Sequence, residues 1–426
     1  MEVRGLQQPI LDGGIIRSIN FFNGRLLTAR DLTREQVANR DVDKRLGKAI
    51  GDGVVFGFEV SKSKSPQSTN VSPMLTVAAG LATNRRGQTL QLTGDIDLGL
   101  VRQSNGSAGA AHAFNECLPL QTGTYVAGAG VYLLTVSPAE TTEGLAATSG
   151  LETGTASCNT DTIVSALQFR MVQLNPPLTD AELDDVNHLR NLIAYKCFGV
   201  TETAAFTTAP FGPELERYGL LDSLRPNRLT DCDVPLAILY WTLSGGINFV
   251  DLWSVRRTPT RLNSGGNWSH FVDDRTKHEG EAMFLQFQEQ IDSLSNSTAG
   301  PNSVAAIDHF RYLPAVGIIP QETPQRQGFD HARFFQDQTY RAPVFMEGAR
   351  LEHLIRESVD YAPIELGSGE LIYLYEVRQN AQTIDAGGSS QPQSYLVFSS
   401  GHMPFYGEAR FDVNRYDYSN YSSMYD

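Results

Sequence analysis

Apolar and polar positions alternate in short runs along most of this chain, and a helical period of three to four surfaces in only a few places. The first lies near the N-terminal end. In NFFNGRLLTARDLTREQ (20–36), Asn23-Gly24 predicts a tight turn, because both residues tolerate positive φ. Thr28 is a good N-cap, and Asp31 three residues on puts an acid in the first turn, close to a capping box. Leu27 and Leu32 are spaced for a hydrophobic staple. The helix is expected from Ala29 to about Ile50, with Leu32, Val42, Leu46, Ala49 and Ile50 on or near one face. Its middle, Arg34 to Asp41, is mostly polar, so it is solvated or lies against a polar partner. Gly51 and Gly53 stop it.

The period then drops to two. GVVFGFEV (53–60) predicts a strand, and MLTVAAGLATNRRGQTLQL (74–92) a hairpin about Asn84-Arg85-Arg86-Gly87. Residues 104–113 are a small-residue loop, Val131–Val136 is a strand, and the Thr/Gly/Ser-rich stretch 141–160 reads as a long surface loop. TIVSALQFRMVQL (162–174) returns to strand before Pro176-Pro177. Such short strands predict a small sandwich or barrel over roughly 51–177.

LTDAELDDVNHLRNLIAYKCFG (178–199) predicts one helix: a Thr179/Glu182 capping box, a stripe of Leu183, Val186, Leu189, Ile193 and Cys197, and a Gly199 stop. A hairpin about Gly245-Gly246 spans 234–257. An amphipathic helix covers 279–296, an extended segment 310–320, a short helix 347–359, and strands 369–380 and 394–400. The expected fold is multi-domain α+β, β-rich, with three to five helices. The divisions are a docking segment 1–52, a β-rich domain 53–177, a helix-and-hairpin region 178–265, a helix with extended segments 266–346, and a C-terminal α/β region 347–426 with a Tyr-rich tail. No internal repeat or heptad pattern is present.

Composition narrows the classes. The 426 residues carry a net charge of −14, which disfavours a nucleic-acid partner because a phosphate backbone wants a basic face. RRTPTR (256–261) is the best candidate for a local basic patch. Of the 34 Lys and Arg only six are Lys; Arg, whose planar fork pairs bidentately and stacks on aromatics, is the interface cation. Codon usage is the competing explanation of that bias. Cys117, Cys158, Cys197 and Cys232 form no CxxC pair, and free or buried thiols are expected, with a Cys117–Cys158 bridge as the alternative. The opening residues lack the pattern of a signal peptide, and no apolar run reaches the roughly 18 to 20 residues of a bilayer span.

Candidate chemistry is sparse. HExxH, GxSxG, a P-loop and a GxGxxG in a βαβ setting are all absent. Three acid–His clusters stand out: Asp273, Asp274, His278 and Glu279; Asp308-His309; and Asp330-His331. Neighbouring residues alternate faces on a strand, so no single pair chelates by spacing, and solvated loops are the expected state. No cofactor, metal or catalytic residue is assigned. The tail, with Tyr416, Tyr418, Tyr421 and Tyr425, has few aliphatics to bury, so docking on a neighbouring subunit or domain is expected.

Phe22, Gly24, Leu26, Leu27, Thr28, Asp31, Glu35 and Gln36, followed by Gly53, Val55, Gly57, Val60, Val77, Gly80, Ala82 and Gly87, resemble a family of proteins encoded beside phage-tail-like contractile injection systems. Phe58 departs from that pattern, which prefers Leu there. The resemblance covers about the first 100 residues and implies a structural component of the baseplate or its periphery, with no enzymatic role. Its partners would be other baseplate or tail proteins and further copies of itself, as a trimer or six-fold ring. Synthesis and assembly would be cytoplasmic, and the particle then released or docked at a membrane. Interface candidates are Phe22, Arg25, Leu26, Leu27, Asp31, Glu35, Gln36 and the four tail tyrosines. Two other classes compete: a receptor- or carbohydrate-binding module using GGNWSHF (265–271), and a metal-dependent hydrolase using the acid–His clusters.

Overall fold

The computed structural model describes residues 15–70, 72–100, 130–146, 159–176, 178–200, 219–225, 227–260, 274–296, 300–322, 327–348, 351–359, 361–378 and 394–400. The fold is mixed α+β. Helix α1 runs Ala29–Ile50 as expected. After it, three strands are each folded at their middle. They comprise β1 (Gly53–Gly57) with β2 (Val60–Lys62), β3 (Met74–Val77) with β4 (Gly80–Thr83), and β5 (Thr89–Leu92) with β6 (Ile96–Gly99). One half forms the sheet β1-β4-β5 and the other β2-β3-β6. The first corner is Gly57-Phe58, both left-handed at φ 66° and 56°. A Cβ on Gly57 would lie 1.9 Å from the Ala79 carbonyl oxygen, so only glycine fits. Phe58 holds a conformation unfavourable to its backbone, with its ring fully buried in the core.

The folded meander packs on a second sheet made of β7 (Gly130–Ala146), β8 (Asn159–Leu174), β9 (Val234–Thr242) and β10 (Gly246–Asp251), in the order β10-β9-β7-β8. Alternation along β7 sorts its side chains. Tyr132, Leu134 and Val136 join the meander core with Phe58, Leu75 and Trp241, while Val131 and Leu133 face the other way. Two expectations are corrected here. Residues 141–160 are not a loop throughout: β7 continues to Ala146 and β8 begins at Asn159, because Thr141, Thr142 and Thr162 are β-branched and pair in register across the two strands. The hairpin at 234–251 pairs with β7, which draws it into the same sheet as 130–174.

The single helix expected over 178–199 is two. Helix α2 (Asp180–Asp184) carries the Thr179/Glu182 capping box, and α3 (Val186–Phe198) ends at Gly199 in the left-handed region. The break falls at Asp185, which leaves helical geometry to cap α3 through the His188 amide. A short helix α4 (Gly219–Ser223) follows. Beyond it, α5 (Asp274–Ser295), β11 (Tyr312–Leu313), β12 (Val316–Pro320), α6 (His331–Phe334), β13 (Thr339–Tyr340), β14 (Val344–Glu347), α7 (Leu351–Ser358), β15 (Ile364–Glu365), β16 (Leu371–Arg378) and β17 (Ser394–Ser399) build a second layered unit. Its sheet runs β12-β17-β16-β13, with β14 also parallel to β16. Phe287, Phe310, Phe329, Phe334, Phe335 and Phe398 fill one face; Val316, Met346, Leu354 and Val397 fill the other. Helix α5 covers the edge of β12, where Gln288 Nε2 donates to the Ile318 carbonyl at 3.1 Å.

Helix α3 joins the two units. Nine of its residues are buried. Leu189 and Ile193 join the core beneath β7 and β9. Asn191 is bound to the second unit: its Oδ1 accepts from Arg311 N (2.7 Å) and Tyr312 N (3.3 Å), and its Nδ2 donates to the Tyr312 carbonyl (3.3 Å). Arg190 Nε donates to Asp251 Oδ2 at 2.7 Å, and Arg190 Nη2 lies 3.3 Å from Glu289 Oε1 on α5. Asp251 also accepts from Gln286 Nε2 (3.1 Å), Ser254 N (2.9 Å) and Ser254 Oγ (2.6 Å). Removing one partner of a buried pair leaves the other charge uncompensated. Asp251→Ala is therefore expected to cost about 3–5 kcal/mol in urea denaturation; a loss under about 1 kcal/mol would mean that the pair is solvated.

Candidate docking surface

Helix α1 touches the body through few side chains. Its seat is a glycine–glycine contact: a Cβ on Gly47 would lie 2.1 Å from the Gly87 carbonyl oxygen, and one on Gly87 would lie 1.9 Å from that of Lys44. Gly87 closes the β4–β5 turn at φ 79°, with its N–H bonded to the Asn84 carbonyl at 2.8 Å. About two turns toward the N-terminal end of α1, Arg40 pairs with Glu140 of β7 at 3.3 Å. At the C-terminal end Asp52 accepts from Arg85 Nε at 3.2 Å. Toward the N-terminal end Glu35 Oε2 accepts from the Ile19 N–H at 2.9 Å, which holds the segment before the helix alongside it.

Arg40, Lys44 and Gly47 thus mark the seated side of the C-terminal half. The expected apolar stripe is exposed to solvent, with Val42 and Leu46 turned away from the seat and Leu32 and Ile50 flanking it. Leu32, Val42, Leu46 and Ile50 are 52%, 45%, 61% and 59% exposed, and Ala38 and Gly47 are the only buried residues of α1.

The preceding segment is shaped by Arg25. Its Nη1 donates to the Asn20 carbonyl (2.8 Å), its Nη2 to Asp31 Oδ1 (3.0 Å), and its guanidinium lies 5.9 Å from the centre of the Phe22 ring. The turn closes from Arg25 N to the Phe22 carbonyl at 3.2 Å, with Gly24 at φ 90°. Thr28 and Asp31 complete the capping box. The hydrogen bonds from Thr28 hold the Asp31 carboxyl below its usual range, and Arg25 adds to the effect. The frame leaves Phe21, Phe22, Leu26 and Leu27 exposed, Leu26 at 89%. The expected staple therefore buries little, since Leu27 and Leu32 are both half exposed. Gln36 is exposed too, as are Val55 and Phe56 of β1. Phe22, Leu26, Leu27, Leu32, Leu46, Ile50 and Phe56 each leave more than half of their surface in solvent, and grouped exposed apolar side chains mark interaction sites.

The other sequence candidates fall elsewhere. Tyr416, Tyr418, Tyr421 and Tyr425, the 265–271 loop and Asp273 lie outside the described residues. The basic run at 256–261 is turned inward at its start. Arg256 Nη2 donates to the Gly57 carbonyl (2.6 Å), and Arg257 stacks on the buried Phe198 at 4.7 Å. His278 Nδ1 meets Thr258 Oγ1 at 2.6 Å, burial lowers the pKa of His309, and Asp330 caps α6 through the Ala332 N–H. Among the described residues no three His, Cys, Asp or Glu are grouped to hold a metal ion. No described helix is long and apolar enough to cross a membrane. The expectation of free thiols holds for Cys197, whose burial pushes its pKa up to about 12, and fails for Cys232, which is disulfide-bonded. Cys117 and Cys158 lie outside the described residues.

Sequence reasoning missed Gly47 and Arg40 as the seat of α1. A glycine inside a helix costs about 1 kcal/mol against alanine, so Gly47 was the signal of a close approach. Comparison with known protein-family models finds no match, and comparison with curated proteins finds none either.

Two outcomes follow from this geometry. Gly87→Ala puts a methyl into the α1 backbone; it should cost about 1–3 kcal/mol and raise amide exchange along α1 before the rest of the chain. Uniform exchange would show that the helix is not seated there. Asp31 has a lowered pKa in the folded state, so its stabilisation is complete above the ordinary carboxyl range and is lost as pH falls below that range through the lowered folded value. The first turn of α1 should therefore fray in acid, and Asp31→Asn should abolish that pH dependence.

Proposed function

We propose that this chain is a structural subunit of a contractile injection system or a similar phage-tail-like particle, at the baseplate or its periphery. It works by assembly with other baseplate or tail proteins and with copies of itself. The observation that carries this reading is the outward apolar face of α1 with the Phe22–Leu27 segment beside it. An amphipathic helix normally turns its apolar stripe to its own core. Here the body holds the other side through two glycines and an ion pair, and the stripe is left for another protein. The sequence resemblance of residues 22–87 supports the same class. Phe22, Leu26, Leu27, Leu32, Leu46 and Ile50 are the contact residues; Arg25, Asp31 and Glu35 position them.

The test is co-assembly with the particle's other proteins. The double variant Leu46→Glu, Ile50→Glu replaces exposed residues, so its thermal midpoint should stay within a few degrees of the parent. Its incorporation into particles should fall roughly tenfold or more. Full incorporation of a folded double variant would reject the reading.

A further inference from the structure

We propose that the outer edge of β8 pairs with the same edge of a second copy of this chain, joining two four-stranded sheets into one. β8 is the last strand in the order β10-β9-β7-β8, and it is 16 residues long. Three observations show which of its main-chain groups point outward. Thr135 Oγ1 lies 3.5 Å from the Arg170 carbonyl oxygen, and Ser137 Oγ lies 3.4 Å from that of Gln168; each pair is directly opposed in the register. The carbonyls of these even-numbered residues therefore point toward β7. Arg228 donates from outside the sheet to the carbonyl of Gln173, an odd-numbered residue. Pro138, which has no N–H, sits opposite Leu167, where the ladder asks for no donor toward β8. The odd-numbered residues from Asp161 to Met171 consequently aim their N–H and C=O groups away from β7. Among the described residues none of these groups has a main-chain partner.

Natural sheets guard such an edge with proline, lysine, a bulge or a short strand. β8 has none of these: its pairing with β7 keeps one register throughout, and its only charged residues are Asp161 and Arg170. Arg170 is engaged with Asp233 at 2.8 Å. Such a ladder of outward N–H and C=O groups, hydrated while the edge is bare, is matched group for group by an extended strand. β8 itself is such a strand. A two-fold axis through Ala166 would set Ile163 against Phe169 of the second copy, Ser165 against Leu167, and Asp161 against Met171. This register opposes no like charges and forms two pairs of aromatic with β-branched side chains. The edge is distinct from the exposed leucines of α1 but lies beside the helix's anchor, since Glu140, the partner of Arg40, is directly opposite Ser165.

The experiment is the oligomeric state of the full chain by analytical ultracentrifugation. Ser165→Pro removes an outward N–H and spares the β7 ladder; Ser165→Lys blocks the edge without changing the backbone. The parent chain should be a dimer at micromolar concentration. Both variants should weaken it roughly tenfold or more with an unchanged circular dichroism spectrum, while Leu46→Glu, Ile50→Glu remains dimeric. A monomeric parent, or a dimer that survives both Ser165 variants, would overturn the edge assignment.

Discussion

The structure turns on the ion pair between Arg190 and Asp251. Neither charge could be buried alone at tolerable cost. Asp251, 1% exposed, accepts four hydrogen bonds, two of them from the Ser254 that follows it after a short turn. The Ser254 bonds fix the orientation of the carboxylate, and an oriented carboxylate favours one placement of α3 against the end of β10. Arg190 reaches Glu289 on the far side, where burial raises the pKa of the carboxyl and the guanidinium opposes the shift. One side chain on α3 thus binds the first sheet and helix α5. Helix α3 packs on the first sheet through Leu189 and Ile193 and on Ala282 of α5 and Tyr312 of β11 through Ala194, Tyr195 and Phe198, and the Asn191 contacts with Arg311 and Tyr312 complete the joint.

Against that rigid centre, α1 is fixed by different physics. Its seat uses steric exclusion and little apolar area. Two glycines let main chain approach main chain, and the Arg40–Glu140 pair sets the rotation of the helix. A helix held this way leaves Leu32, Leu46 and Ile50 exposed. Glu35 and Arg25 extend the order to the preceding segment, so Phe22 and Leu26 are exposed on a framed backbone. A partner that binds ordered groups loses less conformational freedom than one that must order a loose arm.

Local signals were legible in the sequence and long-range ones were not. The Thr28 and Thr179 caps, the Gly199 stop, the Asn84–Gly87 turn and the Gly245-Gly246 hairpin each depend on residues within four positions, and each stands where the pattern puts it. The break at Asp185 also had a local cause, but two competing caps six residues apart read as one helix. The Thr-rich stretch 141–160 looked like a loop because threonine serves loops and strands alike; pairing partners decide, and they lie twenty residues away. Of the docking surface, the residues were readable and their direction was not. The spacing of Leu32, Val42, Leu46 and Ile50 defines a face, and only the meeting of Gly47 with Gly87 shows that it points outward.

The two proposed contact surfaces differ in kind, and the difference bears on assembly. The α1 face offers side chains, so its partner is chosen by shape and by where the apolar groups fall. The β8 edge offers main chain, which any extended strand can match, so selection there rests on register and on the few side chains flanking the ladder. A main-chain edge with almost no charge discriminates weakly by itself. It gains specificity when the sheet behind it is stiff, because a stiff edge accepts a partner at one twist only. Val131–Val136 of β7, paired on both sides, and the packing of the folded meander on one face supply that stiffness at the base of the ribbon. Beyond Val136 β7 leaves β9, and the two-stranded ribbon has less to hold it. Pairing with a second ribbon would give the outer half of β8 the lateral support that β9 gives the inner half of β7.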